Sequence, residues 1–190
     1  MTKKERILVA AQAAFARYGY AGTTMKMIAE MAGVASGLVS HYYGSKEHLF
    51  MVAGQEMVDT MLKVMRAKIR DAETGRQAVG LFVKAYLDFT LQHQETFPTL
   101  IRCSPFSDDN PDLDREKIGK KFSELIHELA DLLQRGIEDG SIRDVPVEET
   151  AFMIYGSMIG AVRTVFLTPY DVPGLYEEAC QFVMRSLATD

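Results

Sequence analysis

The sequence is poor in helix breakers, thiols and catalytic motifs. Proline occurs six times in 190 residues, and runs of alternating Val, Ile and Thr are absent. Ala, Met, Leu, Glu and Lys are frequent instead, which argues against a sheet and for an all-α chain. The two cysteines, Cys103 and Cys180, are far apart and lack CxxC spacing. That excludes a disulfide framework and fits a reduced, cytoplasmic protein. The charged start Thr2-Lys3-Lys4-Glu5-Arg6 lacks the apolar region of a signal peptide. The longest apolar stretch, Ala151 to Val162, contains Ser157 and stops at Arg163. It is short of the roughly 20 residues a membrane span needs, so no membrane partner is expected. No two of the four histidines stand at i, i+4 spacing. No GxSxG, P-loop or GxGxxG arrangement occurs. Neither an enzyme, a metal site nor a cofactor is expected.

What is present is a polarity of charge. The chain is 47% hydrophobic, enough for one good core or for a small module with a larger helical domain. Its net charge of −5 argues by itself against a nucleic-acid partner. Residues 1–48, however, carry six lysines and arginines against three glutamates, a net +3, and the remainder carries −8. No Asp or Glu lies between Met31 and Lys46. A basic head on an acidic body fits a DNA-binding module attached to something else.

The head holds the most informative stretch, Thr23 to Lys46. It reads as two short helices joined by a tight turn, with a third helix following. The first runs from about Met25 to Met31, with Ile28 inward and Ala29 small at the helix crossing. Gly33 sits at the turn, where positive φ carries no steric cost for glycine. Val34 and Val39 plug the gap between the helices. This is the anatomy of a helix-turn-helix, whose second helix, about Ser36 to Tyr42, enters the DNA major groove.

Ahead of it, Lys3 to Tyr18 is amphipathic through Ile7, Ala11, Ala14, Phe15 and Tyr18, and Gly19 stops it. Thr23 or Thr24 caps the next helix. Gly44-Ser45 breaks the pattern, and Ser45 caps a long helix reaching about Arg70. Further helices are expected over Gln77–Gln94 (with Leu91 among its apolar positions), Glu95–Cys103, Leu113–Asp139, Val147–Leu167 and Pro173–Ala188. Ser104 to Asp112, with two prolines and three acids, is the clearest loop. The boundary falls near Gly44 to Lys46, giving a DNA-binding domain over 1–46 and a ligand-binding and dimerisation domain over 47–190.

Three features together resemble the TetR family of bacterial repressors. They are Phe15-Ala16-Arg17-Tyr18-Gly19-Tyr20, then Thr23-Thr24 followed by Ile28-Ala29 and Gly33-Val34, and then Tyr43 followed by Ser45-Lys46-Glu47 and Leu49. Gly136-Ile137-Glu138-Asp139-Gly140 is similar to a helix ending in the family's ligand domain. Ser40-His41-Tyr42-Tyr43-Gly44 is similar to the choline-responsive repressors of betaine synthesis. The resemblance implies a homodimer of about nine helices per subunit, with an N-terminal three-helix DNA-binding module and a C-terminal helical domain that binds a ligand and dimerises. The chain departs from the family at Ser40, where a Tyr often reaches a phosphate. Either Ser40 keeps that contact by closer approach or it passes to Tyr42.

The residue types then suggest roles. Lys46 at a helix start, and Thr24 and Lys26 at another, suit phosphates. Tyr42 suits the sugar-phosphate edge. Base reading falls to Ser36, Gly37, Leu38, Ser40 and His41, where Leu38 can meet a thymine methyl and Gly37 lets the backbone approach. No Arg or Asn stands in this helix for bidentate base contacts, so dimerisation and DNA shape are expected to supply part of the affinity. In the second domain Phe82, Tyr86, Phe89, His93, Phe97, Phe122, His127 and Tyr155 are the candidate ligand-lining residues. Tyr86, His93, His127 and Tyr155 each bring a polar group to an apolar face. Gly156 and Gly160, small residues four apart, mark a close helix seam and a dimer interface.

The reading is a dimeric, ligand-responsive regulator, a repressor that a small-molecule effector releases from a palindromic operator in double-stranded DNA. Its half-sites lie one or two helical turns apart, roughly 34–36 Å per turn. The helix beginning at Lys46 is the expected lever. The rival is a small-molecule-binding helical dimer that has lost specific DNA binding. An activator fits the same residues.

Overall fold

The computed structural model describes residues 1–103 and 115–189. The expected loop over Ser104 to Asp112 and the expected helix start at Leu113 lie outside the described residues. Among the described residues all regular structure is helical, in the order α1 Lys3–Gly22, α2 Met25–Ala32, α3 Ser36–Tyr43, α4 Lys46–Ile69, α5 Gly75–Gln92, α6 Phe97–Cys103, α7 Arg115–Glu138, α8 Val147–Leu167 and α9 Leu175–Ser186. Two compact units share these elements, one over 1–60 and 93–122, the other over 61–92 and 123–190. The division falls within α4 and α7, so each of these helices runs from one unit into the other.

The first unit starts with a capping box. Glu5 N–H donates to the Thr2 hydroxyl, and Thr2 N–H donates to the Glu5 carboxylate. Ile7, Ala11, Ala14 and Phe15 are fully buried along α1. Tyr18, expected on that face, is instead 43% exposed. Gly19 (φ 70, ψ 176) breaks the helix in a conformation open essentially to glycine alone. The Thr23 hydroxyl donates across the break to Gly19 O at 2.6 Å, which leaves Thr24 as the true cap of α2, accepting from Met27 N–H. Gly33 (φ 61) ends α2, and Ser45 caps α4 by accepting from His48 N–H. Helix α6 fastens to α1 through polar groups. Thr99 donates its hydroxyl to Gln12 O at 2.6 Å, and Arg102 Nη1 donates to Phe15 O at 2.7 Å and to Ala16 O. Phe15, Tyr20 and Phe50 form an aromatic cluster beside this joint, with the Phe15 and Phe50 rings edge-to-face at 4.8 Å.

The second unit is a bundle in which α5, α8 and α9 pack on one another. Helix α5 begins at Gly75, two residues ahead of expectation, because the Thr74 hydroxyl accepts from Gln77 N–H and the residues just after α7 add to the cap. Asp139 accepts from Gly75 N–H at 2.6 Å, and the Ser141 hydroxyl accepts from Arg76 N–H at 3.0 Å. The backbones there nearly touch, and a Cβ at Gly75 would lie 2.1 Å from Gly136 N. Leu91, expected to be apolar core, is 49% exposed at the end of α5. Helix α8 is the most apolar. It has a mean hydropathy of 1.4 over 18 residues and is long and apolar enough to cross a membrane by length and composition. One face of α8 packs inward through Ala151, Ile154, Tyr155, Met158, Ala161 and Val162. The other leaves Phe152, Met153 and Leu167 exposed.

Candidate nucleic-acid interface

Helix α3 is anchored on one side and open on the other. Val39 and Tyr43 are buried beneath it, and Val34 and Leu38 are half-buried at its edges. The Tyr43 hydroxyl donates to Lys4 O at 3.0 Å, which settles that residue in the core. Burial, and secondarily the Glu56 carboxylate, push the Tyr43 phenol above its ordinary value. Facing outward are Ser36, Gly37, Ser40, His41 and Tyr42. The His41 and Tyr42 rings meet edge-to-face at 5.3 Å. Ala35 provides no side-chain cap, so the first-turn N–H groups of α3 have no side chain over them. Gly37 has no positive φ, and a Cβ there would meet nothing within 4 Å. Thr24 and Lys26 are exposed at the start of α2. The exposed Lys3 and Lys4 add positive charge at the start of α1.

Lys46 departs from its expected placement. Its ammonium is turned onto the protein, donating to Tyr20 O at 2.9 Å and Thr23 O at 3.1 Å and lying 4.2 Å from the Tyr20 ring centroid. It closes the α1–α2 junction. Two of its three N–H bonds are thereby used, so a phosphate at the α4 start would share it. Arg6 was not singled out from sequence at all. Its guanidinium caps the end of α2, donating to Ala32 O from Nε (3.0 Å) and Nη2 (2.7 Å) and to Gly33 O from Nη2 (2.6 Å). The partners stand 26 and 27 residues away, beyond any local sequence signal.

An outward polar helix behind a glycine turn, carried on a basic three-helix head, has a counterpart among known proteins. Residues 7–52 match the family described as bacterial regulatory proteins, tetR family. The transcriptional regulator RutR of Escherichia coli K12 is 29% identical over 157 residues, which span 82% of this chain and 71% of RutR. Residues 7–52 are thus a TetR-family regulatory domain. The chain's fold superposes on that of a transcriptional regulator from Saccharomonospora viridis solved in complex with choline, with a TM-score of 0.84, 17% identity and 98% of each chain covered. It also superposes on FadR from Bacillus subtilis solved with stearoyl-CoA, with a TM-score of 0.81, 21% identity and 96% and 98% of the two chains covered.

The ligand-lining candidates divide between the two units. His93, Phe97 and Phe122 belong to the first, and Phe82, Tyr86, Phe89, His127 and Tyr155 to the second. Phe82, Tyr86, Phe89 and Tyr155 are buried in the second unit, whereas His127, expected to serve an apolar face, is exposed on α7. In the first unit Phe122 borders a cavity of about 10 Å³ with Phe50, Gly54, Cys103 and Ile118, room for about one water. In the second, a groove of about 300 Å³ beside α5 takes in only Phe89 of the candidates, with Val64, Lys68 and Lys84 around it. Among the described residues no cluster of His, Cys, Asp and Glu could hold a metal ion. Both cysteines are free, and burial pushes the Cys103 thiol well up, which keeps it protonated.

Proposed function

We propose that this protein is a cytoplasmic homodimeric repressor. It would place α3 of each subunit in successive major grooves of a palindromic operator and release it when a small molecule binds the second unit. The observation that carries the reading is the outward face of α3. Gly37 there has no steric reason in the protein to be glycine, and Ser36, Ser40, His41 and Tyr42 stand beside it uncovered. Such a surface makes sense against a base edge that the backbone must approach. Thr24, Lys26, Tyr42 and the α4 start with Lys46 hold phosphates in this reading, and Leu38 meets a thymine methyl.

The dimer interface is assigned to the outer face of α8 with α9. Phe152, Met153 and Phe182 are 58%, 74% and 58% exposed there. Gly156 and Gly160 are uncovered, with nothing within 4 Å of the Cβ each lacks. Two glycines on an apolar face let a second helix approach closely. A face closed by a second subunit also accounts for the apolar α8 without a membrane. The lever is α4, which runs from the head into the second unit. Moving the heads out of register requires a coupling of about 1–3 kcal/mol per effector. The effector-binding residues are assigned to the buried aromatic set Phe82, Tyr86, Phe89 and Tyr155 of the second unit. Choline and stearoyl-CoA, the ligands of the two neighbours, are unlike enough that an effector screen should span cations and acyl chains.

Fluorescence anisotropy with DNA from the chain's own upstream region, against scrambled DNA at two salt concentrations, tests the reading. Selective binding that weakens steeply with salt supports it. Equal binding to both DNAs favours a helical dimer that has lost its operator.

A further inference from the structure

Helix α3 is too short to aim itself. It spans eight residues, has no side-chain cap at its N-terminus, and ends at Gly44 (φ 70, ψ −79). Both of its ends are instead held by the first two turns of α1. At the start, Arg6 places Nε and Nη2 on Ala32 O and Nη2 on Gly33 O, the carbonyls that lead into the turn. At the far end, the Tyr43 hydroxyl donates to Lys4 O at 3.0 Å, and the Lys4 ammonium lies 5.9 Å from the Tyr43 ring centroid. The Arg6 contact is a charge-assisted fork on carbonyls at the negative end of the α2 dipole, which makes it the stronger tie. It also fits the turn closely, because a Cβ at Gly33 would lie 3.4 Å from Arg6 Nη2.

We propose that Arg6 is a positioning residue for operator reading. It touches no DNA. It holds the α2–α3 turn so that the outward face of α3 meets base edges in one orientation. The inference rests on the proposed function. It predicts that Arg6, although basic and within the basic head, contributes to sequence discrimination and not to phosphate neutralisation.

Two properties separate that role from a phosphate contact and from general stability. The first is read without DNA. In Arg6→Ala, amide hydrogen exchange over residues 33–43 accelerates by about tenfold, the cost of a charged hydrogen bond, while exchange over α5 stays as in the parent. Unchanged exchange over 33–43 overturns the clamp. The second is read with operator and scrambled DNA across a salt series. The ratio of the two affinities falls by about tenfold, the cost of roughly one lost base contact, and the slope of log affinity against log salt is unchanged. Lys26→Ala, the comparator, lowers that slope by about 0.9. A parental ratio in Arg6→Ala, or a reduced salt slope, overturns the positioning role. Arg6→Lys keeps the charge and loses the fork. It is expected to show intermediate exchange and an intermediate ratio, and it decides the matter if Arg6→Ala does not fold. If the parent protein itself prefers no DNA, the repressor reading fails, while the exchange measurement still decides the clamp.

Discussion

A methyl group at position 37 would meet nothing within 4 Å beyond its own helix, yet the residue is glycine in the first turn of α3, where glycine gives up more backbone entropy on folding than alanine. The fold gains nothing from it, so the gain is sought outside the fold. Gly37→Ala should raise unfolding stability by less than about 1 kcal/mol, the helix-interior difference, and lower operator affinity by about 1–3 kcal/mol. Chemical denaturation and anisotropy on the same preparation check the two signs. A more stable variant with parental DNA affinity would remove Gly37 from the interface. Lys46 carries the opposite lesson. Position and charge suggested a phosphate ligand, but its ammonium sits on Tyr20 O and Thr23 O. Lys46→Met should therefore lose about 1–3 kcal/mol of stability, measured by urea unfolding without DNA. Parental stability would mean that the two carbonyl bonds contribute nothing net.

Among the elements, α5 and α6 owe their placement to side chains far away in sequence. Asp139 caps α5, and its carboxyl is held below the ordinary range by hydrogen bonds from Ser141 and then from Gly75 N–H. A depressed folded value means that this contribution is complete above the unfolded Asp value of about 3.9 and is lost as pH falls through the folded value. Asp139→Asn should thus be less stable than the parent at neutral pH. The difference should close in acid, as thermal melts along a pH series would record, and a constant difference would contradict the assignment. Arg102 fixes α6 to the carbonyls of Phe15 and Ala16, and Arg102→Ala should cost about 1–3 kcal/mol in urea unfolding. These ties also mark what a sequence can convey. Gly19, Thr24, Gly33, Gly44 and Ser45 were legible as stops and caps because each acts within four residues of itself. The outward set on α3 was legible for the same reason, through helical spacing beside a glycine turn. Arg6, Lys46, Arg102 and Asp139 act across 23 to 87 residues, and no local pattern announces which carbonyl or N–H each will find. The exposure of Tyr18, Leu91 and His127 was missed because periodicity names an apolar face without saying where its packing partner ends.

At the scale of the molecule, the described residues include an uncovered polar face on α3 and an uncovered apolar face on α8 and α9. The first is assigned to DNA and the second to another subunit. Gly160→Glu should place a charge where the second α8 must pass, shifting the protein to monomer in sedimentation with little loss of subunit helicity. A dimer that persists would move the interface elsewhere. Monomers should also bind operator much more weakly, since two half-sites act through one effective concentration. The most direct test of the central claim is anisotropy of the intact protein on its own upstream DNA and on scrambled DNA over a salt series. A DNA-binding repressor should show a strong preference for the upstream sequence, two subunits per site, and affinity that falls linearly in log–log form with salt. Equal affinity for the two DNAs at every salt concentration would contradict it.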